Sequence, residues 1–363
     1  MKIMPRPRQV QVIGLMMGFC LLLTGFLWTP IPAYGQALNP NPPPAPVRLV
    51  FVHHSVGEAW LTNDVGNLFR GLNANNYYVS DTYYDWGPYD PDADSGRIGD
   101  HTDIGHWYNW FLGGRSNLYL AELYPTTHLT PGMGANSIPL PSGDNTVVLF
   151  KSCFVSGYTI SGNPDDPPRH SSPGDPNPIW GMAHNGDPPA YTVGNVKGMY
   201  RDLLTYFAAH QDKLFILITT PPVSSADLEL NPGAASLLRA INTWLVHHWL
   251  DGYRYNNVVV FDYYNVLTSN AGDPETNDLA IAGNHHRLLN GRVQHVIGLK
   301  NNFSAYTPGA DSHPTWAGHQ KATGEFLPLL NVAYHAWKGT GGRPYYLGRS
   351  PKLLPAMLFL LLD

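Results

Sequence analysis

The chain has 363 residues and a formal net charge of −5, and 12% of its residues are aromatic. This aromatic content supplies enough apolar surface for a packed core, so ordinary disorder is excluded, and two cysteines are too few for a disulfide scaffold. The acidic balance argues against a nucleic-acid partner. Because at most one segment approaches the roughly 20 apolar residues of a membrane span, a polytopic membrane protein is excluded as well.

The first 37 residues have the layout of a secretory signal peptide. A positive start, an apolar run and small residues at cleavage points follow one another: Lys2, Arg6 and Arg8, then Val10–Trp28, then Ala33, Gly35 and Ala37. We therefore predict a signal peptide over 1–37 and a secreted or periplasmic protein. Because the run is long enough to span a bilayer, an uncleaved N-terminal anchor stays open as the alternative. Cleavage leaves a single cysteine, Cys153, so the mature chain forms no internal disulfide.

Two further segments lie outside the expected domain. Residues 38–46 contain the stretch NPNPPPAP and are predicted to form an extended, solvated spacer. The tail 341–363 ends in KLLPAMLFLLLD, whose apolar stretch of about ten residues is too short to cross a bilayer. Its role stays open between a packed terminal segment and an association or sorting element. Residues 47–340 are predicted to form one domain.

Five short apolar segments have the pattern of strands. They are rich in β-branched residues and almost continuously apolar, which is typical of strands buried on both faces of a parallel sheet. In chain order they are Val47–His53, Tyr77–Tyr84, Thr146–Lys151, Leu214–Thr220 and Val258–Asp262. The second segment carries the weakest signal of the five.

Helical spacing of apolar residues fills the intervals between these strands. Apolar residues recur at three- and four-residue steps over 196–207 and over 237–249, as on a helix face that packs against a sheet. A last helix is predicted from about residue 315 to 337. The alternation predicts one three-layer α/β/α domain around a parallel sheet of about five strands, with long loops over 85–141 and 156–189.

Reactive side chains are expected at the carboxyl ends of the strands, where open α/β sheets bind their ligands. The first strand leads into Ser55, and a serine on a strand-to-helix turn can present its hydroxyl to solvent. The last helix is preceded by Asp311 and His313, a carboxylate and an imidazole that suit a general base and its orienting group. Ser55 and Asp311 also fit as helix caps. Their order along the chain favours the catalytic interpretation.

That order resembles the SGNH/GDSL-type hydrolases. The resemblance spans roughly residues 47–337 and rests on Ser55, on LFILITTPPV and VVVFDYY as the middle and fifth strands, and on DSHPTWAGHQKAT over 311–323. It implies a flavodoxin-like α/β/α fold and ester hydrolysis without a metal or other cofactor. It also implies that Ser55 is the nucleophile, His313 the general base and Asp311 the acid that orients His313.

The chain departs from the family pattern where an oxyanion would be bound. Lys151-Ser152-Cys153-Phe154 replaces the G-x-N-D block of the family, so the usual asparagine donor is missing. The backbone N–H of Ser55 is the first donor that the resemblance implies. Gly87, Ser152 and Cys153 are candidates for the second donor.

The residues around the triad differ from the family pattern as well. His53 and His54 stand where the family has glycine and aspartate, and His54 is expected to contact the site without reacting. Asp311 lies two residues before His313, whereas the family commonly has three. Asp262, at the end of the fifth strand, is therefore a reserve for the triad acid, although a buried structural carboxylate is the simpler interpretation.

Histidines and carboxylates also cluster in a way that suggests a metal site. The clusters are His53-His54, Asp100–His106 and His285-His286, and none has HExxH spacing. Hydrogen-bonded histidines are the simpler interpretation. The acids of Asp90–Gly96 alternate as in a calcium loop, but the glycine and glutamate of that motif are missing, so a solvated acidic loop is expected.

The sequence therefore predicts a secreted serine esterase that acts on a small-molecule or polysaccharide ester, with O-acetyl groups of a carbohydrate as a candidate substrate. Aromatic residues over 83–111 are expected mostly to pack the long loop, although rings on a cleft rim also stack on sugars. Acyl transfer to a sugar hydroxyl is a variant with the same residues. The alternatives are a non-catalytic carbohydrate-binding protein and a metal-dependent hydrolase. No nucleic acid and no stable protein partner is implied.

Overall fold

The computed structural model describes residues 36–343, except for 92–95, 158–159, 184–189, 228–231, 269–282, 299–300 and 307–310. The predicted signal peptide lies almost entirely outside these residues, and so does most of the predicted tail 341–363. All described residues but Gln36 belong to one unit, Ala37–Asp363. In the described part of the chain, no helix is both long enough and apolar enough to cross a membrane.

A parallel sheet of five strands forms the centre of this unit. The strands are β1 Val47–Val52, β2 Tyr77–Thr82, β3 Val147–Lys151, β4 Leu214–Ile218 and β5 Val258–Phe261. They follow the order β2-β1-β3-β4-β5. All five predicted segments form strands, and the three central ones are buried almost throughout. The expectation of strands covered on both faces is confirmed.

Helices connect the strands and cover the sheet. They are α1 Ser55–Leu61, α2 Leu68–Ala74, α3 Trp107–Phe111, α4 Ser116–Leu123, α5 Val193–Ala209, α6 Ala234–His247, α7 Tyr263–Leu267 and α8 Trp316–Lys338. The three predicted helices correspond to α5, α6 and α8, and each buries the apolar face that its spacing indicated. The short helices α2–α4 and α7 were not predicted, because five to eight residues hold too little periodic pattern. A helix was expected to begin near Ser55, and α1 begins at that residue.

Two apolar cores lie on opposite faces of the sheet. Alternate strand residues point to opposite sides, so Val50 and Phe150 pack with α3–α6, whereas Leu49 and Leu149 pack with α1, α2, α7 and α8. The result is the three-layer α/β arrangement that the alternation of elements predicted. Its consequence for the site is that α1 and α8 share one layer.

An antiparallel hairpin, which was not predicted, follows α7. Its strands are β6 His285–Leu289 and β7 Arg292–Val296. Asn290 and Gly291 connect them with φ angles of 51° and 69°. Two residues with positive φ are characteristic of the tight hairpin turn that matches the twist of the strands. His285 and His286, suggested above as metal ligands, are therefore strand residues.

The proline-rich spacer was predicted to be extended and solvated, but part of it is docked on the domain. The backbone carbonyls of Pro40 and Asn41 accept hydrogen bonds from Asn331 and His335 of α8. Pro43 is buried, and its carbonyl accepts a hydrogen bond from the Asn76 side chain at 2.8 Å. Proline lacks a backbone donor but keeps its carbonyl, so such a segment docks readily on side-chain amides.

The first turn of α1 is packed so tightly against the end of β1 that only glycine fits at position 57. A Cβ atom on Gly57 would lie 2.4 Å from the Cβ of His53. His53 has no exposed surface and cannot yield without moving the end of β1. The close approach of these two residues sets the direction in which α1 leaves the sheet.

We expect Gly57→Ala to lower the free energy of unfolding by about 1–3 kcal/mol, because the added methyl group collides with buried His53. Urea denaturation at pH 8 measures the effect. The matched control is Gly114→Ala, where a Cβ would meet no atom within 4 Å. A Gly57→Ala protein as stable as the control would contradict the close packing of this turn.

Candidate active site

The structure brings Ser55, His313 and Asp311 together at the carboxyl edge of the sheet. The Ser55 Oγ and the His313 Nε2 are 2.8 Å apart, and the His313 Nδ1 lies 2.7 Å from a carboxylate oxygen of Asp311. Both distances are within hydrogen-bonding range. The three side chains thus form a continuous hydrogen-bonded chain from a hydroxyl through an imidazole to a carboxylate.

Neither Ser55 nor Asp311 serves as the helix cap considered above. His54 is the N-cap of α1, so Ser55 is the first helical residue, and its hydroxyl contacts His313. Thr315 caps α8 with its side chain, which accepts from the backbone N–H of Gly318. Asp311 instead accepts hydrogen bonds from both the backbone N–H and the ring of His313.

Asp311 determines which ring nitrogen of His313 faces the serine. The carboxylate accepts a hydrogen bond from the Nδ1–H group, so that the Nε2 lone pair is directed at the Ser55 hydroxyl. The hydrogen bond from His313 holds the pKa of the Asp311 carboxyl below its ordinary value, so the acid is ionised at neutral pH. His313 is also fixed from the side by Phe154, whose ring meets it edge-on at 5.1 Å between centroids.

The loop that carries His313 is anchored through the residue between the acid and the base. Ser312 is almost completely buried, and its hydroxyl donates to the carboxylate of Asp227. The same hydroxyl accepts the backbone N–H of Ser224 at 2.9 Å. Ser224 and Asp227 belong to the segment after β4, so this strand end helps to place His313. No local sequence pattern indicated this anchor.

His54 lies beside the site, as expected. Its Nε2 donates to the carbonyl of Gly99 at 3.0 Å, and its ring packs against Tyr84 at 3.9 Å between centroids, with the two planes tilted by 36°. Burial lowers the pKa of His54 to about 3, so the ring is neutral at physiological pH. The neutral ring is a packing surface beneath Tyr84 rather than a base.

His53 points away from the site into the layer that contains α1. Its Nε2 lies 3.1 Å from a carboxylate oxygen of Asp81, and both side chains are fully buried. Burial alone would raise the pKa of Asp81, but hydrogen bonds from His128, His53 and Thr130 lower it well below its ordinary value. Asp81 was not predicted, because nothing in its own strand marks it as a partner of His53.

The oxyanion candidates from the sequence have different positions. Ser152 is completely buried, and its hydroxyl accepts from the Trp107 indole at 2.9 Å, so this hydroxyl is not a donor to the cleft. This excludes the hydroxyl alone, and Ser152 as an oxyanion residue stays a prediction. The Cys153 thiol is buried at the end of β3. Gly87 has a φ of +81°, and its carbonyl accepts from Arg97. Gly87 and Cys153 stay predictions.

Asp262, the reserve acid, belongs to a different network. It is the N-cap of α7, where its side chain accepts from the backbone N–H of Asn265 at 3.1 Å. The other carboxylate oxygen lies 2.7 Å from the Nε2 of His295 on β7. Burial would raise the pKa of Asp262, but the hydrogen bond from His295 keeps it below its ordinary value. The simpler interpretation, a buried structural carboxylate, agrees with these contacts.

The clusters suggested as a metal site have separate partners. His53 contacts Asp81, His101 contacts Tyr119 at 2.5 Å, and His285 contacts Glu325 at 2.7 Å. Within the described ranges, no three His, Cys, Asp or Glu side chains come together so that they could hold a metal ion. Asp90 of the suggested calcium loop is buried, but residues 92–95 lie outside the description, so that suggestion stays a prediction.

Most aromatic residues of the long loop are core residues, as expected. Trp86, Trp107, Trp110 and Phe111 are buried between this loop and the sheet, whereas Tyr84 keeps 44% of its surface exposed. Trp316 was not singled out in the sequence. It is 62% exposed and follows His313 by three residues at the start of α8. Its place in the motif after His313 was the only signal that pointed to it.

Comparisons of the chain with protein-family models, with curated proteins and with solved structures each found no match. The chemistry of the site therefore has to be argued from its own geometry. A hydroxyl, an imidazole of fixed tautomer and an ionised carboxylate in series are the groups that nucleophilic catalysis by serine requires.

We expect Ser312→Ala to lower the free energy of unfolding by about 1–3 kcal/mol, because the carboxylate of Asp227 and the N–H of Ser224 both lose their buried partner. Urea denaturation measures the loss. Ser236→Ala is the matched control, since Ser236 is exposed on α6 and changes the free energy by at most about 0.5 kcal/mol. Equal stability of the two variants would contradict the anchoring role of Ser312.

Acid is expected to begin to destabilise the fold at a pH well above the range in which carboxyl groups titrate. Burial lowers the pKa values of His54, His286 and His319 to about 3, whereas an unfolded histidine has a pKa near 6.5. Between these values the unfolded chain binds protons that the folded protein does not, so stability falls as the pH falls from 6.5 towards 3. Each histidine contributes about 1.4 kcal/mol per pH unit.

Urea denaturation between pH 6 and pH 5 tests this expectation. His319→Gln removes one of the three groups, and we expect it to make the pH dependence of unfolding shallower by about 1.4 kcal/mol per pH unit. Between pH 8 and pH 7.5 the two proteins should show the same, nearly flat dependence. An unchanged slope in the variant between pH 6 and pH 5 would show that His319 does not titrate on unfolding.

Proposed function

We propose that the chain is a serine esterase of the SGNH type, in which Ser55 is the nucleophile, His313 the general base and Asp311 the group that orients the base. The observation that carries this proposal is the continuous chain of 2.8 Å and 2.7 Å contacts between the three side chains. A purely structural hydrogen bond would not need this arrangement. Here an imidazole lies between a partly exposed serine and an ionised carboxylate at the edge of a parallel sheet.

The reaction follows from the positions of the protons. The Oγ of Ser55 attacks the carbonyl carbon of the ester while its proton passes to the Nε2 of His313. Asp311 stabilises the imidazolium that forms. His313 then returns the proton to the alcohol oxygen that leaves, and an acyl-Ser55 ester remains. Water, deprotonated by His313, attacks this ester, releases the carboxylic acid and restores the Ser55 hydroxyl.

The architecture supports the SGNH interpretation. The strand order β2-β1-β3-β4-β5 is the flavodoxin-like order, in which ligands bind at the carboxyl edge of the sheet. Ser55 follows the first strand and Asp311 and His313 precede the last described helix, which is the order of functional residues in that family. The altered acid spacing is no obstacle, because the Asp311 carboxylate reaches His313 from two residues away.

An ester of a carbohydrate is the substrate class that we favour. His313 is about one-third exposed at its side chain, so the base is accessible to a bulky alcohol group. Tyr84, whose ring packs on His54 next to Ser55, and Trp316, three residues after His313, present exposed rings that suit stacking on a sugar. Export of the protein, which the N-terminal pattern predicts, would bring it to extracellular or periplasmic polysaccharide. Acyl transfer to a sugar hydroxyl uses the same groups.

We expect a fluorophosphonate probe to label Ser55, and Ser55→Ala to lower kcat/KM for p-nitrophenyl acetate and for acetylated xylan by at least about 10³-fold. Peptide mapping by mass spectrometry and initial rates measure the two effects. The matched control is Ser236→Ala, on the exposed face of α6, which should behave as the wild type.

Other outcomes identify the alternatives. Glycan binding that survives Ser55→Ala in a protein without any ester turnover would favour a carbohydrate-binding protein. Turnover that is lost on chelation and restored by Zn²⁺ or Mn²⁺ would favour a metal-dependent hydrolase. Ester turnover that is the same in Ser55→Ala as in the wild type would refute the serine mechanism.

A further inference from the structure

The nucleophile lies in the first turn of α1, and this turn has a buried support that the proposed mechanism does not use. His54 is the N-cap of α1, and Ser55 is the first helical residue. The His54 ring is directed to the carbonyl of Gly99, so it does not cap the helix. Whatever holds the backbone of His54 in place therefore bears directly on the position of Ser55.

The carbonyl of His54 is the point at which this turn is held. It accepts the backbone N–H groups of Gly57 at 2.7 Å and of Glu58 at 3.1 Å. The Nδ1 of His53 lies 3.0 Å from the same oxygen. Because a peptide group is planar, this carbonyl lies in one rigid plane with the N and Cα atoms of Ser55. Fixing the oxygen thus fixes the backbone from which the Ser55 side chain projects.

The His53 ring is itself fixed from several sides. Its Nε2 lies 3.1 Å from a carboxylate oxygen of Asp81, and both side chains are completely buried. The other carboxylate oxygen of Asp81 accepts the backbone N–H of Thr130 at 2.7 Å, so the acid is tied to a second segment. On the helix side, a Cβ on Gly57 would come within 2.6 Å of the Cγ of His53. The ring therefore cannot turn without moving Asp81 or α1.

We propose that His53 is a positioning residue for the nucleophile. Its Nδ1–H group donates a hydrogen bond to the His54 carbonyl and thereby keeps the Ser55 hydroxyl directed at the base, while the Asp81 carboxylate holds the ring. This inference rests on the proposed esterase function. The Ser55 hydroxyl lies 2.8 Å from the His313 Nε2, at the end of this series of contacts. A displacement of about 1 Å at a reacting group lowers a rate by up to about 10²-fold, so the support of this turn affects kcat.

Two substitutions at position 53 separate the two contacts of the ring. The side-chain amide nitrogen of asparagine takes the place of the Nδ1 of a histidine, and that of glutamine takes the place of the Nε2. His53→Asn therefore keeps a donor at the His54 carbonyl and loses the contact with Asp81. His53→Gln keeps a donor at Asp81 and loses the contact with the His54 carbonyl. Each variant is thus the matched control for the other.

The test compares these variants in the full chain, with p-nitrophenyl acetate as the substrate. We expect His53→Gln to lower kcat by about 10–10²-fold and to change KM by less than about threefold, because the hydroxyl is misdirected while the binding surface remains. The rate at which a fluorophosphonate labels Ser55 should fall by the same factor. His53→Asn restores the donor at the Nδ1 position, so its kcat should exceed that of His53→Gln by at least about fivefold. His248→Gln, at an exposed histidine after α6, should behave as the wild type.

Stability separates the positioning role from a merely structural one. His53→Asn deprives the buried Asp81 carboxylate of its imidazole partner, whereas His53→Gln keeps a donor there. We therefore expect His53→Asn to unfold at the lower urea concentration, so that the order of the two variants in stability is the reverse of their order in kcat. If His53 only stabilised the fold, the less stable variant would also be the less active one.

A measurement on the wild type does not depend on the folding of either variant. In protein labelled with ¹⁵N-histidine, long-range ¹H–¹⁵N NMR correlations show whether the Nδ1 of His53 carries a proton. We expect a protonated Nδ1 at pH 8, because the His54 carbonyl can only accept a hydrogen bond. An Nδ1 without a proton at this pH would overturn the proposal.

The outcomes distinguish this inference from the function on which it rests. A wild-type protein that neither hydrolyses esters nor is labelled at Ser55 would overturn both proposals. An active wild type in which His53→Gln and His53→Asn have the same kcat would overturn the role of His53 alone. The same conclusion would follow if kcat fell in the order in which the two variants lose stability.

Discussion

The packing of α1 against α8 is the constraint on which the proposed site depends. Ser55 and His313 are 258 residues apart in the chain, and their side chains meet because these two helices lie in one layer on the sheet. Trp60 joins the helices, since its indole N–H donates to the hydroxyl of Thr323 at 2.8 Å and its ring packs on Phe326 of α8. Trp60 is completely buried, so apolar burial and a hydrogen bond act at the same contact.

Beneath this contact, the interior contains polar groups that favour their neutral forms. Lys151 ends β3 with no exposed surface, and burial lowers the pKa of its amine, which donates to the carbonyl of Ser152. His319 of α8 shares a hydrogen bond of 2.8 Å with the hydroxyl of Tyr263, and burial lowers the pKa of His319 as well. Charge is costly where water is excluded, which is why burial lowers both pKa values. In the proposed reaction, by contrast, the positive charge forms on His313, whose side chain is about one-third exposed and in direct contact with Asp311.

The parts of this structure that the sequence predicted are those whose signals are local. β1 and β3–β5 are continuous apolar runs, and the Asp311–His313 pair stands in a short motif before a long periodic helix. The β6–β7 hairpin was missed although Asn290-Gly291 is a strong turn signal, because its strands, HHRLL and RVQHV, hold few apolar residues and lack the continuous apolar run of the sheet strands. The roles of Asp81, Ser312 and Tyr84 depend on partners that lie on other strands or loops, and no local pattern contains such contacts.

The two residues before Ser55, His53 and His54, stand where the SGNH pattern that the sequence resembles has glycine and aspartate. His53 takes the position of the glycine, and its Nε2 lies 3.1 Å from a carboxylate oxygen of Asp81 at the end of β2. Its Nδ1 lies 3.0 Å from the carbonyl of His54, which also accepts the backbone N–H groups of Gly57 and Glu58. Both ring nitrogens thus face acceptors, so His53 links the start of α1 to the buried Asp81 carboxylate. The carbonyl that begins α1 is thereby tied to β2, so one buried pair helps to place Ser55, the proposed nucleophile, at the carboxyl edge of the sheet.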